Sequence, residues 1–178
     1  MGFQLCHNIL SEVEQIGFRI TWKFISIGLY GCKEMEHQIS YDEMFEYFDM
    51  LLEKESEKFD DIITLLCVKN NESELETIIK ELANNEQSEF AFELHKWRVC
   101  LLKKILDSKN EDVLQGLLEL MEFWLPIKDE VECPHVFPEN DGNKESVYKY
   151  FTETMYTYLI NKNQVWIEKE IEKIRRVE

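Results

Sequence analysis

Apolar side chains recur along this chain at intervals of three and four residues, in blocks separated by short polar runs. That spacing puts successive apolar residues on one face of an α-helix. Ile9, Leu10, Val13 and Ile16 make the first block, in a helix over roughly 6–16 that Gly17 closes as a C-cap. Thr21 caps a short second helix through Ile25, Gly28 and Leu29, which Gly28 and Gly31 stop, and a polar connection follows to Ile39. Ser40-Tyr41-Asp42-Glu43 has the form of a capping box and opens a third helix on Met44, Phe45, Phe48, Leu51 and Leu52.

A fourth helix, roughly 58–68, rests on Phe59, Ile62, Ile63, Leu66 and Cys67 and is broken by Lys69-Asn70-Asn71. Ser73 caps a fifth through Leu75, Ile78, Ile79, Leu82 and Ala83. After a turn at 84–88 comes the longest helix, roughly 89–106, with the clearest stripe: Phe90, Leu94, Trp97, Leu101 and Ile105. Another helix carries Val113, Leu114, Leu117, Leu118, Met121 and Leu125. Residues 126–143 hold all three prolines and Gly142, and form one long loop of the kind that is more often functional or mobile. Two final helices, roughly 144–160 and 165–177, are separated by Asn161-Lys162-Asn163.

The expected architecture is all-α: an irregular bundle of about eight helices in a single domain over 1–178. Short connections favour antiparallel neighbours, so stacked helical hairpins are a variant of the same reading, although the hairpins share no repeat signature. Scarce glycine (6) and proline (3) agree, because a β-rich fold of 178 residues needs many more turns.

Charge narrows the function. The formal net charge is −16, from 36 acidic and 20 basic residues. Nucleic acid and anionic membrane surfaces are poor partners for such a chain. A basic protein is a good one, and solubility alone is the plainer explanation. Five cysteines without a C-x-x-C suggest reduced thiols and a cytoplasmic setting, with Cys67 and Cys100 as small core hydrophobes. No signal peptide, myristoylation site or membrane-spanning run is legible.

Candidate chemistry is thin. His7, His37, His95 and His135 form no H-E-x-x-H, and the pairs Cys32/His37 and Cys133/His135 offer too few ligands for a structural zinc. His37 and His135 read as solvated loop residues, His95 as a partly buried structural one. No phosphate-binding glycine loop and no G-x-S-x-G occurs, and 139–143 lacks calcium-loop spacing. No catalytic residue, metal or cofactor is assigned. The enzymatic alternative would draw on His95, Cys100 and buried carboxylates.

The acidic residues are unevenly placed. Between Lys33 and Asp61, eleven carboxylates face three lysines. On the third helix Asp42, Glu46, Asp49 and Glu53 fall four, three and four apart and make one acidic stripe. Like charges at that spacing repel by a few tenths of a kcal/mol per pair, and a cationic partner would relieve them. Tyr41 and Tyr47 lie in the same helix as candidate aromatic anchors. The long loop adds Asp129, Glu130, Glu132, Glu139 and Asp141 around Val136 and Phe137, a pair that either anchors a partner or pins the loop to the core.

The segment Ile20-Thr21-Trp22-Lys23, with Ile25 and Gly28 after it, resembles the opening of an uncharacterised bacterial family of small helical proteins. Trp97 on a central helix and the late proline-containing acidic loop extend the resemblance from about residue 15 to the end. It implies a helical fold and carries over no catalytic residues. In size and charge the family is similar to antitoxin and immunity proteins. The leading expectation is therefore a non-enzymatic module binding a basic protein such as a toxin domain, through Tyr41, Asp42, Glu46, Asp49, Glu53, Asp129, Glu130, Glu132, Phe137 and Asp141. The alternatives are the enzyme above and a structural or regulatory helical scaffold.

Overall fold

A computed structural model describes residues 8–54, 58–108, 110–138 and 148–178. Among them are eight helices, a further helical turn at 148–150, and no strand beyond one isolated bridge, Cys32 with Met35. In chain order they are α1 (Ile9–Ile16), α2 (Trp22–Tyr30), α3 (Tyr41–Glu53), α4 (Phe59–Cys67), α5 (Glu72–Asn85), α6 (Phe90–Ser108), α7 (Val113–Trp124) and α8 (Glu153–Val177). The fold is all-α, a multi-helix bundle. The chain divides into two compact units, residues 1–97 with Glu178 and residues 98–177, so the division falls inside α6.

The local signals act where the sequence places them. Gly17 ends α1 in the left-handed region at φ 89°, where a side chain would strain. Thr21 accepts from the Phe24 amide to cap α2, and Ser40 and Glu43 form a reciprocal capping box at α3. The start of α5 differs. Asn71 is its cap, accepting from the Glu74 amide, and Ser73 lies inside the helix. The Asn71 side chain offers the same acceptor two residues earlier, so the break read at Lys69-Asn70-Asn71 is itself the next helix's start.

In the first unit α2 packs on α5, α1 on α3, and α3 on α4. Trp97, from the first half of α6, is fully buried and stacks on Phe24 with ring centres 4.2 Å apart and planes 5° from parallel. Its indole N–H donates to the Phe24 carbonyl at 2.8 Å. Gly28 does not stop α2. It is buried within it, and a Cβ there would stand 2.4 Å from the Trp97 ring. Glycine is required by that close approach. Gly31, at φ 66°, provides the actual end.

α4 reverses one expectation. Its buried residues are Ile62 and Leu65, whereas Phe59 and Ile63 are exposed and so is Cys67. The apolar arc of this helix is wider than the face it buries, so apolar neighbours did not place the Cys67 thiol in the core. α6 also buries more than its stripe: Val99, Leu102 and Leu106 are buried beside Leu94 and Trp97, while Phe90 is 47% exposed.

In the second unit α7 packs on α8. The expected interruption at Asn161-Lys162-Asn163 is absent, and α8 runs unbroken through it. Asn163 is fully buried. Its amide nitrogen donates to the Leu159 carbonyl at 2.7 Å, and its carbonyl accepts from the Trp124 indole at 2.6 Å. An asparagine usually competes with helix backbone; here its side chain bonds back one turn and sideways to a neighbour, which keeps the helix intact. Trp166 meets Trp124 edge-on, with ring centres 5.0 Å apart. The long loop is a series of turns through Glu132 and then irregular to Pro138; its remainder, with Glu139, Gly142 and Asp141, lies outside the described residues, as does the start of the helix expected from Lys144.

Candidate protein-binding surface

α3 is amphipathic in a way that separates two jobs. Met44, Phe45, Tyr47, Phe48 and Leu51 are buried on one side, and Asp42, Glu46, Asp49 and Glu53 are all exposed on the other. At 100° per residue the four acids cluster within about 60° of arc, opposite the buried face. Among the described residues no cation pairs with any of the four. Their mutual repulsion is therefore relieved only by water and salt. The capping-box carboxylate Glu43 and the first-turn Asp42 gain from the positive helix end, which tolerates acids there better than at Glu53.

The tyrosines sit differently from each other. Tyr41 is half-buried, its hydroxyl 3.1 Å from that of Tyr30 and the two rings edge to face at 6.4 Å. Burial, then Tyr41, pushes the Tyr30 phenol far up, so Tyr30 stays neutral. Tyr47 is 4% exposed and belongs to the core rather than to the outer face. As an outer anchor it is ruled out.

The second acidic patch belongs to the other unit. Asp129, Glu130 and Glu132 are exposed, and Glu130 is already paired with Arg98 at 2.7 Å. Phe137 is half-buried against the His135 ring at 4.8 Å, with the Lys128 ammonium 5.6 Å above it, while Val136 is exposed. His135 is not a solvated residue. It is buried, its Nε2 lies 2.8 Å from the Tyr150 hydroxyl, and burial pushes its pKa down to about 4. Apolar packing of the extended segment on Tyr150 explains this; loop composition alone could not show it. His37 is exposed.

His95, in the first unit, is half-buried, and Cys100, in the second, is buried. Among the described residues no three His, Cys, Asp or Glu side chains converge as metal ligands, and no helix is long and apolar enough to cross a membrane. One polar cluster went unseen in the sequence. Lys96 is fully buried, with Nζ 2.8 Å from Glu93, 2.8 Å from Glu178 and 2.7 Å from the Arg19 carbonyl, to which it donates. Burial raises the Glu93 pKa, while Lys96 and Thr21 pull it back. The only sequence signal was a Glu and a Lys three apart on a largely apolar helix, too common a pattern to single out.

The profile of a family described as "Uncharacterized protein conserved in bacteria (DUF2247)" matches residues 10–171. The chain belongs to the DUF2247 family. The match spans every helix described above in full or in part, including α3 and the segment carrying His135. Membership of DUF2247 brings no activity with it, so function has to be argued from the surface itself. No curated protein and no solved structure matches the chain.

Proposed function

We propose that this DUF2247 protein is a non-enzymatic binding module for a basic protein. The observation that carries this reading is the outer face of α3: Asp42, Glu46, Asp49 and Glu53 exposed, collinear and unpaired among the described residues, on a helix whose other side is locked into the core. A rigid helix presents fixed charges without an ordering cost on binding. A field of one sign speeds encounter with a cationic partner and selects against anionic ones. Tyr41 at the start of the helix adds an aromatic edge, and Asp129, Glu130, Glu132 and Phe137, with Asp141 outside the described residues, form a secondary contact set. In its most specific form, the chain is a cytoplasmic immunity protein that neutralises a toxin domain of basic surface, an assignment supported by size and charge.

The test pairs Glu46→Lys with Asp49→Lys. Proteins captured from the native bacterium by the wild-type chain and by the double variant are compared, and the one lost is purified. Its association rate with the wild-type chain falls steeply with salt, and with the variant it falls by at least about ten-fold at low ionic strength. An association rate that the reversal leaves unchanged removes α3 from the interface and sinks the reading.

A further inference from the structure

α3 and α4 pack on each other as a hairpin. Lys69, just past the end of α4, places its ammonium 4.6 Å over the ring of Phe45 near the start of α3, so the two helices run antiparallel. The Phe45 contact marks the flank of α3 that faces α4. Met50 marks the flank toward α1, where it accepts from Ser11 at 3.8 Å. At about 100° per residue, Asp49, Asp42, Glu53 and Glu46 fall in that order in the arc from Phe45 round to Met50. The acidic stripe therefore borders α4, with Asp49 and Asp42 nearest to it.

The flanks of α4 are marked in the same way. Asp61 accepts from the Trp22 indole N–H at 3.1 Å and marks the side toward α2. The buried pair Leu65 and Ile62 comes next round the helix, and the side toward α3 follows. Continuing round, Leu66, Phe59, Ile63 and Cys67 succeed one another in steps of about 20–40°, and Asp60 comes after them. Phe59 is 46% exposed and Ile63 40%, Cys67 is exposed and Leu66 half-buried. An apolar strip thus runs along the hairpin, with the α3 carboxylates on one border and exposed Asp60 on the other.

The two parts of this surface select one kind of occupant. Water gains from any apolar body that covers Phe59 and Ile63. Acids on both borders require that body to be edged with cations. A second copy of the chain is a poor fit, since at net charge −16 it brings carboxylates against carboxylates. The strip is straight and spans about 12 Å from Phe59 to Cys67, the length of two helical turns.

We propose that the α3–α4 hairpin docks an amphipathic helix of a basic protein. Its apolar stripe covers Phe59 and Ile63, and its flanking lysines and arginines meet Asp42 and Asp49 on one side and Asp60 on the other. The inference rests on the α3 reading given above and names the element of the partner that α3 meets. Charge on the borders governs the encounter, and burial of the strip governs how long the complex lasts.

The probe is a synthetic peptide of about eighteen residues, with leucine at helical spacing on one face and lysine elsewhere, titrated into the full chain by fluorescence anisotropy. One control peptide has glutamate in place of lysine, and another has two central prolines. The lysine peptide binds saturably and gains helix on binding, and the controls do not bind. Phe59→Ser with Ile63→Ser, both at exposed positions, keeps the wild-type circular dichroism and weakens the lysine peptide by about ten-fold at low and at high salt. Glu46→Lys with Asp49→Lys weakens it by about ten-fold at low salt and much less at high salt. Undiminished binding by the serine variant overturns the inference and leaves the α3 surface standing, since charge alone then holds the peptide. Undiminished binding by the lysine variant sinks the α3 reading and this one with it. Equal binding of either control, or a dimer of the chain that the serine variant abolishes, also overturns the docking of a basic helix.

Discussion

The Trp124 indole N–H donates to the Asn163 carbonyl across 2.6 Å, and neither side chain reaches solvent. Each answers the other's need. Burying an indole N–H without an acceptor, or an amide inside a helix without partners, loses a hydrogen bond to water that nothing replaces. Asn163→Leu keeps the volume and discards the acceptor. Chemical denaturation of this variant shows a loss of about 1–3 kcal/mol. In a Trp124→Phe background the same substitution costs clearly less; equal losses in both backgrounds would refute the pairing as the cause.

Gly28 faces the Trp97 ring so closely that a methyl group has no room, with 2.4 Å left to the nearest ring carbon. Gly28→Ala, ordinarily favourable in a helix, here destabilises by about 1–3 kcal/mol through overpacking. Trp97→Phe in the same chain returns part of that loss, which thermal unfolding of the single and double variants measures. An alanine variant as stable as wild type shows the two helices are free to part.

Lys96 is fully buried between Glu93 and Glu178. Removing the cation alone strands Glu93, so Lys96→Met costs about 3–5 kcal/mol in urea unfolding. Adding Glu93→Met recovers most of it, a strongly non-additive cycle. Additive losses would show that the two charges do not depend on each other.

His135 gives a pH dependence of determinate sign. Its pKa of about 4 in the folded chain lies below the ordinary 6.5, so between those values the unfolded chain binds more protons. The contribution is complete above pH 6.5 and is lost as pH falls toward 4. It amounts to at most about 3 kcal/mol. Denaturation curves across that window show the fall, and His135→Gln flattens it. An unchanged slope in the variant assigns the acid sensitivity to other groups.

Elements whose cues are local were legible in the sequence. Ser40 with Glu43 and Gly17 act through the nearest backbone amides and carbonyls, so the residues that decide the outcome are adjacent. Asn163 was misread for the opposite reason. Its partner Trp124 is 39 residues away, and without that partner Asn161-Lys162-Asn163 has the composition of a turn. Cys67 and His135 failed in the same manner, since an exposed thiol among apolar neighbours and a buried imidazole in a proline-rich segment are settled by what packs against them. The α3 stripe was visible because charge spacing on a helix depends only on helical period. The apolar strip beside it on α4 was not, because Phe59 and Ile63 read as core until folding decides which face is buried.

The division of α3 into a locked side and a solvent side has an evolutionary corollary. Substitutions at 42, 46, 49 and 53 touch no core side chain, so their stability effects are small and separable from those of the packed face. Lineages can therefore redraw the charge pattern there while the scaffold beneath is inherited unaltered.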